Sequence, residues 1–141
     1  MTQWAILYPV FVQAALTFGL LFTTGISRVR AIERRDVRVK DIALGQDNWP
    51  ERITKIGNSY NNQLQTPVLF YIVIVLALMT SKVSGLFIIM AWGFVALRLA
   101  HAYVHVTSND VPKRFMIFLA GLVVLVLMWL IFGLRLLTEG V

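Results

Sequence analysis

The chain has 141 residues, 58% of them hydrophobic and only 14% charged, with a formal net charge of +6, no cysteine and a mean hydropathy of +0.74. Apolar content this high excludes a disordered chain, and the charged fraction lies far below the about 25% of an ordinary soluble domain. The lack of cysteine excludes a disulfide scaffold and a cysteine-based metal site. The basic excess of so apolar a chain reads as a membrane-surface signal, so no nucleic-acid partner is expected.

The charges punctuate the chain. Residues 1–27 carry none, and a bilayer-spanning helix needs about 20 apolar residues. The first span is therefore predicted over about 4–27. It is not read as a signal peptide, because a signal peptide carries its positive charge before the apolar core and here the basic cluster follows it. Next comes a basic loop, about 28–48, that opens with Arg28, Arg30, Arg34 and Arg35.

The second span is predicted over 58–80. Asn48-Trp49-Pro50-Glu51 supplies a capping residue, an early proline and a glutamate three positions after the cap, which signals a helix start near 49. A helix over 49–80 is roughly 45–50 Å long, more than the ~30 Å hydrocarbon core, so its start projects into the cytoplasm. Pro67 should kink it. The third and fourth spans are predicted over 83–106 and 115–136, separated by Asp110, Lys113 and Arg114.

Residues 1–141 thus read as a single all-α, four-span membrane domain. Ten of the thirteen Lys and Arg residues fall in the loops after spans one and three, against Lys82 and Arg135 on the other side, with Arg98 inside a span. The positive-inside rule puts both loops in the cytoplasm and both termini on the non-cytoplasmic side.

With this orientation the polar residues share a depth. Asn58, Asn61, Asn62 and Gln65 fall on one face of span two, and Arg98, His101, His105 and Asn109 on one face of span three. Gln13, Thr17, Thr24 and Arg28 form a thinner stripe on span one, and Arg114 marks the start of span four. All lie toward the cytoplasmic side, which predicts one polar pocket open to the cytoplasm. No Asp or Glu occurs between Glu51 and Asp110, so Arg98 has no carboxylate partner within its own or the preceding span. Its five donors need amides, carbonyls, water, a lipid phosphate or a bound anion. Together with Arg28 and Arg114 it makes the pocket cationic, which favours an anionic ligand. Plainer readings stand beside this one: Arg98 snorkels to the interface, the amide face is helix–helix glue, and the histidines hydrogen-bond between helices. His101 and His105 have the i, i+4 spacing of metal or haem ligands, yet no carboxylate or cysteine accompanies them, and no metal is expected.

Three stretches carry a family resemblance: Thr24-Gly-Ile-Ser-Arg28-Val-Arg30, Asn62-Gln-Leu-Gln65-Thr-Pro-Val-Leu-Phe70, and Arg98-Leu-Ala-His101-Ala-Tyr-Val-His105 followed by Pro112-Lys-Arg114. In order and spacing the chain resembles MAPEG, the membrane-associated proteins in eicosanoid and glutathione metabolism. The resemblance implies a homotrimer of four-helix subunits that binds glutathione as cosubstrate between neighbouring subunits. It implies a transferase or peroxidase acting on a lipophilic electrophile that enters from the membrane lipids. Arg28, Arg98 and Arg114 would bind carboxylates or stabilise the thiolate, with Arg114 the catalytic candidate. Asn62, Gln65 and His101 would hold the peptide, and His105 completes the set. The alternatives are a non-catalytic protein of the same fold that binds an anionic lipid or metabolite, and an assembly partner in a membrane complex. The chain departs from the family pattern in four places. Gln65 stands where the family has glutamate, and Ser59, Tyr60 and Asn61 where an arginine is frequent. His105 stands where the family has tyrosine, and Phe115 offers no hydroxyl after Arg114.

Overall fold

A computed structural model describes residues 2–140. A 3-10 turn, Gln3–Ile6, runs directly into helix α1, Leu7–Glu33. After the basic loop, which holds one 3-10 turn at Val39–Asp41, come α2, Glu51–Asn62, and α3, Thr66–Met79. Helices α4, Gly85–Val106, and α5, Val111–Glu139, complete the bundle. Four segments are long and apolar enough to cross a membrane: Gln3–Glu33, Glu51–Met79, Gly85–Val106 and Val111–Glu139. Their outward faces are rich in exposed apolar side chains, among them Phe11, Phe18, Phe22, Ile89 and Leu130. A bilayer or another apolar protein surface must cover such faces.

The second span differs from a single kinked helix. It is broken at Gln63-Leu64-Gln65, where the amides of Gln63, Leu64 and Gln65 turn to carbonyls three residues back at 2.9, 3.1 and 3.4 Å. Pro67 explains the break. A proline in a helix interior removes one hydrogen bond and clashes with the carbonyl four residues earlier, here that of Gln63. With the chain interrupted, Pro67 falls in the first turn of α3, where a missing N–H costs nothing. The expected cap also differs. Helix α2 starts at Glu51 after Pro50, without a side-chain cap, and Asn48 instead donates to the Asp41 carbonyl at 2.6 Å. Two other starts are capped as their sequences suggest: Ser84 accepts from the Phe87 amide and Asp110 from the Lys113 amide, both at 3.2 Å.

The apolar core fills the end of the bundle away from the basic loop. Phe70 and Phe94 stack at 4.7 Å, and Val73, Ile74, Ala77, Phe87, Ala91, Leu125 and Met128 close around them. At the other end Ala31, Val37 and Ile53 form a small second cluster with Trp49 against it. Helices α1 and α2 pack closely at Gly57, where a Cβ would lie 3.1 Å from Nη2 of Arg28. At the far end Lys82 pairs with Glu139 at 3.1 Å and Arg135 donates to the Lys82 carbonyl at 3.1 Å, fastening α5 to the α3–α4 turn.

Helices α1 and α3 end alike. After α1, Arg35 is left-handed (φ 61°) and the Asp36 amide reaches back to the Ala31 carbonyl at 2.9 Å. After α3, Ser81 is left-handed (φ 55°) and the Lys82 amide reaches Ala77 at 2.8 Å. Both are Schellman ends that lack the usual glycine. A left-handed non-glycine residue costs roughly 1 kcal/mol. Ser81→Gly should therefore stabilise the protein by about 0.5–1 kcal/mol, read as a higher midpoint of thermal unfolding in detergent; a lower midpoint would show that this turn is not the strained element described.

Candidate functional site

The buried face of α4 passes from hydrocarbon to polar groups. Phe87, Ala91, Phe94 and Val95 are followed on the same face by Arg98, His101 and His105, all three buried. Arg98 is only 2% exposed. Its Nη2 donates to Oδ1 of Asn62 at 2.6 Å, to Oε1 of Gln63 at 3.2 Å and to the Asn62 carbonyl at 3.3 Å. That carbonyl belongs to the last residue of α2, where free C=O groups and the negative end of the helix dipole favour a cation. Nε and Nη1 of Arg98, three of its five N–H donors, have no acceptor among the described residues.

Gln63 is the hub of this network. Its Oε1 also accepts from Nε2 of Gln13 on α1 at 3.0 Å, and its own Nε2 donates to the Ser59 carbonyl at 3.1 Å. Gln13 and Gln63 are 0% and 1% exposed. One chain of hydrogen bonds thus joins α1, the end of α2 and α4 across the middle of the bundle.

Beside this network lies a cleft of about 220 Å³, lined by Asn62, Gln65, His101, Val111, Arg114, Phe115 and Phe118. The turn between α4 and α5 shapes it. Asn109 is left-handed (φ 51°), a conformation asparagine tolerates, and its Oδ1 accepts from Nη1 of Arg114. Asp110 caps α5, so Arg114 stands in the helix's first turn and turns back to Asn109. His101 lies against Phe118, with ring centroids 6.0 Å apart, and meets His105 edge-on at 5.7 Å. Nδ1 of each histidine is buried and unpartnered.

Of the seven residues singled out from the sequence, Asn62, Gln65, His101 and Arg114 line this cleft. Arg98 sits behind Asn62 and holds it, and His105 lies one helical turn beyond His101. Arg28 is elsewhere: its guanidinium stacks 5.0 Å from the centre of the Trp49 ring and packs against Gly57. The single converging pocket is therefore divided within one chain into a sealed network, an open cleft and a separate Arg28 site. Asn58 and Asn61 are exposed and outside both network and cleft. Sequence reasoning passed over Gln63, because a continuous helix puts it off the Asn62–Gln65 face. Its signal was its spacing from Ile56 and Ser59, steps of three and four residues that put all three on the buried face of α2.

Gln63→Leu would strand Nε2 of Gln13 and remove an acceptor from Arg98. A buried group left unsatisfied costs about 1–3 kcal/mol and a hydrogen bond to a charged group about 1.5–3 kcal/mol. Gln63→Leu should thus lower stability by about 2–4 kcal/mol, whereas Asn58→Leu on the exposed side of α2 should stay within about 0.5 kcal/mol. Thermal unfolding of both variants in one detergent reads the difference, and equal midpoints would remove Gln63 from the centre of the network.

Neither a curated protein nor a solved structure matches the chain. A model of the MAPEG family matches residues 6–134, which takes in all four spanning-length segments up to the last turns of α5 and every residue of the network and cleft. Coverage of that extent, on an all-α chain whose helices can cross a bilayer four times, makes this protein a multi-pass integral membrane member of the MAPEG family.

Proposed function

We propose that this MAPEG protein is a membrane enzyme that uses glutathione, or a closely related anionic thiol, to attack lipophilic electrophiles or lipid peroxides. The observation that carries this reading is the make-up of the cleft. Arg114 shares the lining with the neutral polar groups of Asn62, Gln65 and His101 and with the phenyl rings of Phe115 and Phe118. An anion and an apolar molecule can meet there. Phe115 is 58% exposed on the apolar surface of α5, on the side from which a lipid-soluble substrate would arrive.

Arg114 binds the thiol cosubstrate and favours its ionised form, since a nearby cation lowers a thiol pKa and raises the thiolate fraction. The thiolate sulfur then bonds to the electrophilic carbon of the second substrate as its leaving group departs, or to the terminal oxygen of a hydroperoxide as the O–O bond breaks, which gives a sulfenic acid and, after protonation from water, an alcohol. Asn62, held by Arg98, and Gln65 with His101 orient the peptide. His105 supports His101 edge-on. In this reading the protein is a homotrimer, and Arg28, remote from the cleft of its own chain, serves the cleft of a neighbouring copy. Both basic loops face the cytoplasm, where glutathione is supplied, and both termini face away. A second reading, a non-catalytic protein that binds an anionic lipid or metabolite in the same cleft, is favoured by Gln65 and Phe115, which offer neither a carboxylate nor a hydroxyl.

Calorimetry on the detergent-purified protein should show saturable glutathione binding. It should be lost in Arg114→Ala and weakened at least about tenfold in Arg98→Ala, a change of roughly 1.4 kcal/mol, while the oligomer keeps its size. Normal binding by both variants would place the ligand elsewhere. Turnover of a thiol-reactive aromatic electrophile would favour the enzyme, and binding without turnover the second reading. Because the chain has no cysteine, Thr2→Cys and Gln46→Cys can each be labelled singly. A membrane-impermeant maleimide applied to the non-cytoplasmic face should label the first and not the second; the opposite pattern inverts the topology.

A further inference from the structure

We propose that the preferred thiol for this cleft is one whose amino group is masked, an anionic thiol without a free ammonium. The inference rests on the reading above, that an anionic thiol occupies the cleft, and concerns which one. Its ground is the charge inventory around the cleft. The polar groups that line it are Arg114, Asn62, Gln65 and His101, and none is acidic. Behind Asn62 stands the Arg98 guanidinium, with Nε and Nη1 still without acceptors.

Among the described residues no acid lines the cleft. None occurs from residue 52 to residue 109. Asp110, the nearest along the chain, accepts from the Lys113 amide as the cap of α5 and does not line the cleft. Glu51 pairs with Lys55 at 2.8 Å, Asp41 with Arg38 at 2.7 Å and Glu139 with Lys82 at 3.1 Å.

An ammonium brought into this cleft finds only neutral oxygens of Asn62 and Gln65 to accept from it. It also stands in the field of two guanidinium groups, without the charge-assisted bond that a carboxylate would give. An acylated amine removes that charge. It adds a carbonyl oxygen, an acceptor for the Arg114 guanidinium and the amide N–H groups that line the cleft, and keeps one N–H for an amide oxygen. The ligand's net charge also becomes more negative by one unit, which a cationic site favours.

The test compares glutathione with N-acetylglutathione by calorimetry on the purified oligomer, for the unsubstituted protein and for Gln65→Glu. Gln65 is exposed at the cleft wall, so the substitution leaves the buried network intact, and unfolding midpoints verify this. The unsubstituted protein should bind the acetylated thiol at least about tenfold more tightly. Gln65→Glu should move that ratio at least about tenfold toward glutathione. The change of ratio between the two proteins separates charge from the size of the acetyl group, which is common to both. Equal or tighter binding of glutathione by the unsubstituted protein, or a ratio unmoved by Gln65→Glu, overturns the inference and leaves the thiol-binding function standing. If neither thiol binds, or if Arg114→Ala leaves both affinities unchanged, the function and the inference fall together.

Discussion

The structure depends on how one arginine is kept in the interior of a membrane protein without a carboxylate. An arginine inside a spanning helix costs about 2.5–3.5 kcal/mol on insertion scales. Arg98 offsets this with the carbonyl end of a helix and two side-chain amides. That arrangement needs a helix to end at its depth, and the break after Asn62 provides the end. Pro67, the break, the Asn62 carbonyl at the end of α2 and the position of Arg98 are therefore one solution, spread over two spans. Gln13 extends it to a third: without the Gln13 donor, Oε1 of Gln63 would be held by the arginine alone.

This requirement also sorts the bundle along its axis. Toward the Lys82 end the helices meet through Phe70, Phe94, Phe87 and Met128, a close-packed hydrocarbon core. Toward the basic loop the same helices meet through hydrogen bonds, with a cleft between α2, α4 and α5. The apolar half supplies rigidity and the polar half supplies the site, an arrangement in which side chains for chemistry are held by elements anchored elsewhere. At the hydrocarbon end the Lys82–Glu139 ion pair and the bond from Arg135 to the Lys82 carbonyl fasten the end of α5 to the turn before α4, and these are the helices that carry Arg114 and His101.

Much of this was legible in the residues. Four apolar runs bounded by charge locate the spanning-length segments, because a bilayer tolerates few charges in its interior and the chain carries only 20 in all. The shared face of Arg98, His101 and His105 follows from helical periodicity, and all three are buried together. The polar set of span two was only half legible. Periodicity groups residues on a face without saying which face is inward, and α2 buries the face of Ile53, Ile56 and Ser59, which Gln63 continues, while Asn58 and Asn61 stay outside. Arg28 lies apart from the cleft of its own chain for another reason: depth along a helix does not fix direction around it, and the Trp49 ring and the gap at Gly57 hold its guanidinium against α2. The asparagine cap failed because Pro50 already restricts the chain before Glu51, leaving Asn48 free to tie down the loop.

The interruption between α2 and α3 has a mechanical side. The half above it, Glu51–Asn62, is tied to α1 and the basic loop, and the half below it, Thr66–Met79, is locked in the hydrocarbon core. The two amides that line the cleft from this span thus belong to separately anchored pieces: Asn62 ends the upper one, fixed by Arg98, and Gln65 leads into the lower. One spanning segment thereby brings the water-exposed loop and the aromatic stack of Phe70 and Phe94 to bear on the same cleft.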